Sequence, residues 1–185
     1  MRTLLLGFVM IATAGCVSLT PQQEDKVAEI QRFADRATAI YGLPRLRISI
    51  QPATNLNIGA IYRQGNIFVN VTMLDSPNLT KLIAHELGHY VLGHDSVIAQ
   101  VASPAEWERA QQQRELDANA KAVEILVRVQ GLPEREALRI VMDALRRSQD
   151  EQTRYGLPLT PGHLPASAEL ADLLARYPNA GVTVR

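Results

Sequence analysis

Apolar positions recur along the chain with two periods. Val27, Ile30, Ala34, Ala37 and Tyr41 fall three or four residues apart, the spacing of one helical face. Thr20-Pro21-Gln22-Gln23 ahead of them supplies a capping box with proline in the first turn, and Gly42 supplies a stop. Leu46, Ile48 and Ile50 then alternate with polar residues and predict a strand. A further strand is expected over 65–71, with Ile67, Val69 and Val71 on one face. Gln64-Gly65-Asn66 reads as a hairpin turn between Ile61 and Ile67. Helical spacing returns at Leu79, Leu82, Ile83, Leu87, Tyr90 and Val91, and Ser76-Pro77 offers the start of that helix. Ser103-Pro104-Ala105-Glu106 is a second capping box, opening a long helix that can run to Gln130 and stop at Gly131. Two more helices are expected over 135–147 and 168–177, with a loop around 154–158 between them. Trp107 and Met142 read as core residues. The elements sum to an α+β fold, a small antiparallel sheet packed on helices.

Charge leaves that outline unchanged but excludes one class of partner. The 185 residues carry 19 basic and 19 acidic side chains, and no basic patch or long like-charge run points to nucleic acid. No repeat or low-complexity tract divides the chain, so a single domain over 16–185 is expected. The N-terminus stands apart. Arg2 precedes Leu4-Leu5-Leu6-Gly7-Phe8-Val9-Met10-Ile11-Ala12, an apolar run too brief to favour a spanning helix. It ends at Ala14-Gly15-Cys16, and Cys16 is the sole cysteine. The pattern resembles a lipoprotein signal, with residues 1–15 removed and lipid on the Cys16 thiol. Thr13 departs from it, since an aliphatic residue is usual three before the cysteine. Ordinary cleavage after Ala12-Thr13-Ala14 is the competing reading and leaves Cys16 a free thiol. The first reading anchors the domain by lipid in a bacterial cell envelope, facing the periplasm or exterior. The second releases it as a soluble periplasmic or secreted protein. A lone cysteine also excludes an intrachain disulfide framework.

Candidate chemistry is concentrated in one stretch. Three of the four histidines lie in His85-Glu86-Leu87-Gly88-His89-Tyr90-Val91-Leu92-Gly93-His94. On a helix, His85 and His89 stand one turn apart on the same face and can grip one ion. Glu86 is rotated about a quarter turn from His85, placed to take a proton from a water whose pKa zinc lowers to roughly 7. H-E-x-x-H on a helix is a zinc-hydrolase signature for that reason. Catalytic zinc keeps three protein ligands and an open fourth position, so a third ligand is required. The H-E-x-x-H-x-x-G-x-x-H arrangement needs Gly at 92 and His at 95, where Leu92 and Asp95 stand. His94 therefore reads as a helix-end residue. Glu115 is the preferred third ligand, on the long helix 26 residues beyond His89. Asn119 lies one turn further on the same face, able to orient a ligand histidine.

Gly65-Asn66-Ile67-Phe68-Val69-Asn70, Ala84-His85-Glu86-Leu87-Gly88-His89 and Glu115-Leu116-Asp117-Ala118-Asn119 together resemble the gluzincin peptidases of the HtpX and CAAX-prenyl-endopeptidase type. The likeness extends to Gly131-Leu132-Pro133-Glu134-Arg135-Glu136-Ala137-Leu138 and to Pro161-Gly162-His163-Leu164-Pro165, which is similar to the family's late His-Pro motif. It covers roughly 40–178, with H-E-x-x-H and the downstream glutamate as its specific part. Asn119 stands where the family usually has Asp. Leu164 separates His163 from Pro165, and Glu169 replaces a basic residue. The membrane helices of larger relatives have no counterpart here. The same glutamate segment is similar to that of ImmA/IrrE-type peptidases, which imply the same ligands.

The resemblance implies a zincin-like α+β domain binding one Zn2+ through His85, His89 and Glu115, with Glu86 as general base. His163 would donate a hydrogen bond to the tetrahedral oxyanion; an exposed loop residue or helix cap is the alternative. The strand beside the metal helix could align an extended peptide by backbone pairing. The expected activity is zinc-dependent endopeptidase cleavage of envelope proteins or peptides, misfolded ones included. A zinc-containing binding or chaperone-like module without proteolysis is the alternative, against which the presence of Glu86 argues.

Overall fold

The computed structural model describes residues 18–54, 58–94, 103–156, 158–159 and 162–180. The 1–15 signal and Cys16 lie outside the described residues. Five helices and three strands follow in the order α1 (Pro21–Ile40), β1 (Arg47–Gln51), β2 (Ala60–Arg63), β3 (Asn66–Asn70), α2 (Leu79–Val91), α3 (Pro104–Gln130), α4 (Glu134–Tyr155) and α5 (Ala166–Arg176). A 3-10 turn, Val71–Asp75, joins β3 to α2. The class is α+β, as the patterning indicates.

Local chemistry accounts for most boundaries. Thr20 Oγ1 accepts the Gln23 N–H at 3.3 Å while Gln23 Oε1 accepts the Thr20 N–H at 3.1 Å, a complete capping box at the start of α1. Ser103 accepts the Glu106 N–H and opens α3, and Gly131, at φ +71°, closes it. Gln64 and Gly65 form the two-residue hairpin turn, with φ of 47° and 75°. Positive φ at both positions is the mark of a type I′ turn, whose twist matches the flanking strands.

The sheet differs from expectation. Its order is β1-β3-β2, and β1 pairs with β3 in parallel, Arg47 opposite Asn66 through Gln51 opposite Asn70. Only β2 and β3 are antiparallel, Ala60 opposite Val69 and Arg63 opposite Asn66. The tight turn enforces that hairpin, and β1 pairs along the other side of β3. The sheet is therefore mixed.

Three boundaries also move. Val71 belongs to the 3-10 turn, because the Asn70 side chain accepts the N–H and hydroxyl of Thr72 and bends the chain out of the strand. Ser76 Oγ accepts the Asn78 N–H, so Ser76-Pro77 forms a turn and α2 starts at Leu79. The stripe of α4 ends at Leu145, yet polar residues carry the helix to Tyr155, where Gly156 at φ +61° stops it. Of the expected loop, Arg154 and Tyr155 are thus helical.

α2 and α3 form the most extensive helix pair, α1 lies against both, and α4 and α5 cover α3. Ile67, Val69, Ile83, Leu87, Ile125, Leu126, Leu138 and Met142 are fully buried. Met142 is core as read. Trp107 is not: it is 43% exposed, because the first turns of α3, from Pro104 to Asp117, bury no residue in the core. No helix among the described residues is long and apolar enough to cross a membrane.

Candidate metal centre

The site begins with an unusually close approach of two helices. A Cβ at Gly88 would meet the Ala118 carbonyl oxygen at 2.8 Å and its Cα at 3.2 Å. Only glycine permits α2 and α3 to touch backbone to backbone here. Glu115 lies three residues before Ala118, so that contact carries its carboxylate to the histidine face of α2.

Three ligand atoms then face one another. His85 Nε2 is 3.1 Å from His89 Nε2 and 3.0 Å from Glu115 Oε2, and His89 Nε2 is 3.4 Å from Glu115 Oε1. Donor atoms set about 2.0–2.1 Å from a tetrahedral ion stand roughly 3.3 Å apart, so these separations suit one ion. The donor set, two imidazoles and a carboxylate, also suits zinc and leaves a fourth position. His85, His89 and Glu115 could hold a metal ion.

The protonation states favour the same use. Burial, aided by the Lys81 charge, lowers the His85 pKa to about 4, against the opposing pull of Glu115. Its imidazole is neutral at pH 7 and has a lone pair to offer. Burial alone would raise the Glu115 carboxyl, but the facing His85 and His89 rings, which donate to it and carry charge when protonated, hold it well below the usual range. Glu86 is 6% exposed, and its Oε2 accepts the Tyr62 N–H of β2 at 2.6 Å. Burial pushes its carboxyl up to about 7, opposed by His89, that N–H and Lys81. A carboxyl balanced there can take and return a proton near neutral pH.

Outer contacts fix the rings. Asn119 Oδ1 lies 3.0 Å from His85 Nδ1, and Asn119 Nδ2 donates to Glu169 Oε2 at 3.0 Å. The Glu169 carboxylate can only accept, so it turns the amide oxygen toward His85. His85 Nδ1 then carries the proton, and Nε2 is left bare for a ligand role. Asn119 and Glu169, two positions at which the sequence departs from the peptidases it resembles, are thus in direct contact.

His89 has its own support. Gly93, at φ +66°, ends α2 in a Schellman motif, with His94 N–H donating to His89 O at 2.9 Å and Gly93 N–H to Tyr90 O at 3.0 Å. The return places His94 Nδ1 2.9 Å from His89 Nδ1. Arg114 Nη1 donates to the His94 carbonyl at 3.0 Å. His94 is therefore a partner of a candidate ligand as well as a helix-end residue. Gly93, directly before His94 and after the last apolar position of the helix, was a readable signal for this return.

His163, remote in sequence, is brought to the same place. Its Nδ1 is 3.6 Å from Glu115 Oε2 and 3.9 Å from Glu169 Oε1. Gly162, at φ +83°, holds that loop so close to α3 that a Cβ would meet Gln111 Cβ at 3.0 Å. The site histidines and carboxylates border one cavity of about 600 Å³, which Lys81 and β2 also line. The residues expected from sequence are gathered at or just behind its wall, apart from Cys16. Lys81 and the part played by Glu169 were missed; Lys81 at four residues before His85 was the available sign.

Comparison with protein-family models, with curated proteins and with solved structures gave no match to this chain. The assignment below therefore rests on the geometry and chemistry of the site.

Proposed function

We propose that this protein is a zinc-dependent endopeptidase with a zincin-like fold, a compact relative of the gluzincin peptidases. The observation that carries the reading is the convergence of His85 Nε2, His89 Nε2 and a Glu115 carboxylate oxygen beside the buried Glu86. His85, His89 and Glu115 would hold the zinc, which when bound supplies a Lewis acid that acidifies water and polarises a carbonyl. Glu86 takes the proton of the attacking water and returns it to the leaving amine. Tyr62 N–H keeps that carboxylate aimed, and the deep setting of Glu86 keeps bulk water from competing. Asn119 and His94 hold the ligand rings in the tautomer that leaves each Nε2 bare. His163 donates to the oxyanion of the tetrahedral intermediate, which its loop faces across the cavity.

β2 is an edge strand of the sheet, paired only with β3, and lines the cavity. An extended peptide can pair along its outer edge and present a backbone carbonyl to the water that Glu86 activates. With the N-terminal signal as read from sequence, the substrates are envelope proteins or peptides, met at the membrane if Cys16 is lipidated.

Glu86→Gln tests the mechanism. The variant should bind zinc in the wild-type ratio, one per chain, while cleavage of an unfolded protein such as reduced casein falls by about 10²-fold or more. Retained proteolysis would remove Glu86 from the chemistry. A wild-type, zinc-loaded protein that cleaves no unfolded protein would instead support a non-proteolytic, zinc-containing binding module.

A further inference from the structure

Lys81 is the one lysine or arginine among the described residues of the cavity wall, and this chemistry leaves it idle. It stands four residues before His85 on α2, and eight before His89, in the same stripe. One helical turn separates it from the first histidine, about 6 Å along the axis. It is half-buried and lines the cavity together with Glu86, Glu115 and Glu169. Those three carboxylates are the charges that reach it, yet among the described residues it forms no ion pair with any of them. Each is committed elsewhere: Glu169 to Asn119, Glu86 to the Tyr62 N–H, and Glu115 to the two histidines. Burial holds the Lys81 amine below its ordinary pKa, against the pull of the three carboxylates. A half-buried ammonium without a contacting counter-charge is costly, and an anion brought to it would relieve that cost.

The surroundings limit what that anion can be attached to. Ile58, Ala60, Met73 and Leu82 give the neighbouring wall an apolar character, suited to amino-acid side chains more than to a small inorganic ion. Glu86, Glu115 and Glu169 repel a free polyanion. A single carboxylate carried on a peptide meets both conditions. An extended chain advances about 3.3 Å per residue, so a turn of helix corresponds to about two residues of bound peptide.

We propose that Lys81 anchors a carboxylate of the bound peptide, either an acidic side chain or a free C-terminus, within about two residues of the bond offered to Glu86. The proposal rests on the peptidase reading of the site: an acidic side chain at Lys81 gives an endopeptidase its substrate preference, whereas a free C-terminus held there would make the cleavage that of a carboxypeptidase.

Three dansylated pentapeptides of one apolar sequence test it: the C-terminal amide, the free acid, and an amide with one internal residue replaced by Glu. Their dissociation constants are measured by fluorescence on the zinc-loaded Glu86→Gln protein, and again on the wild type stripped of metal. At least one carboxylate-bearing peptide should bind roughly tenfold or more tightly than the neutral amide, with the advantage shrinking as salt rises. Lys81→Met should abolish the advantage and Lys81→Arg should keep much of it. Gain by the free acid alone identifies a C-terminus as the source; gain by the Glu peptide alone identifies a side chain. Equal affinity of the wild type for all three peptides overturns the proposal, whether or not any variant folds. So does an advantage that survives Lys81→Met, which would place the carboxylate on the metal. Peptides that bind in this pattern but are never cleaved by the zinc-loaded wild type would refute the endopeptidase reading and leave the anchor standing.

Discussion

The orientation of a single amide decides whether His85 can serve as a ligand. Asn119 has an accepting and a donating end, and only one arrangement gives His85 Nδ1–H an acceptor. Glu169 selects it by accepting from Nδ2 at 3.0 Å. Asn119→Asp would set two carboxylates in contact in a buried place, where both cannot ionise together. Glu169→Arg alone would aim a guanidinium at the amide and favour the reversed orientation. Each single change should weaken zinc binding by roughly 10–100-fold, read by competition with a chelator. The double variant restores a complementary pair, so its loss should fall well below the sum of the two singles. Additive losses would show that the contact does not control the ring. Both residues were visible in the sequence as separate departures from one family pattern. Their coupling was not, because it joins positions 50 residues apart through the packing of α5 on α3. The same limit hid Lys81: its stripe was legible, but not the cavity that the stripe faces.

Helix α2 had clear signals along its length, and what the sequence left open was how closely α3 would lie against it. Apolar stripes marked α1, α2 and α3, and polar caps and glycine stops bounded α1 and α3, because these signals act within a few residues. The parallel β1–β3 pairing, the polar extension of α4 and the exposure of Trp107 depend on neighbours remote in sequence. Gly88 belongs to that second kind, since nothing around it announces contact with Ala118. Replacing it by alanine forces a Cβ against a carbonyl oxygen 2.8 Å away. A backbone oxygen cannot swing aside, so the helices must separate. Overpacking of this sort costs about 1–3 kcal/mol, and the displacement draws Glu115 away from His85 and His89. Gly88→Ala should therefore lower the melting temperature and zinc affinity together. Gly131→Ala is the comparison: it is strained by its φ of +71° but meets nothing within 4 Å, and should cost stability with little loss of zinc. Equal zinc affinity in wild type and Gly88→Ala would mean that the helix approach does not build the site.

For the molecule as a whole, the site stores a conflict that metal removal exposes. Glu86 is buried, and its folded pKa of about 7 lies above its ordinary value of 4.5. A carboxyl raised in this way contributes stability that is fully present below about pH 4.5 and is lost as pH rises through about 7. His85 and His94 act in the opposite sense. Burial lowers both to about 4 from 6.5, so their contribution is present above pH 6.5 and lost as pH falls toward 4. The metal-free protein should thus be squeezed from both sides, with acid unfolding driven by the histidines and alkaline loss driven by Glu86. Glu86→Gln separates the two, because its amide oxygen can still accept the Tyr62 N–H while carrying no charge. In the presence of a chelator, Glu86→Gln and wild type should melt at nearly the same temperature at pH 4.5. The variant should then become the more stable of the two as pH rises to 8. On acidification from 6.5 to 4 both lose the histidine contribution, but the wild type loses less overall because protonation of Glu86 offsets part of it. Added zinc should narrow the gap at pH 8, since a neighbouring cation favours the ionised carboxylate. A gap that is already full at pH 4.5 would trace the effect to packing and exclude the titration of Glu86 as its cause.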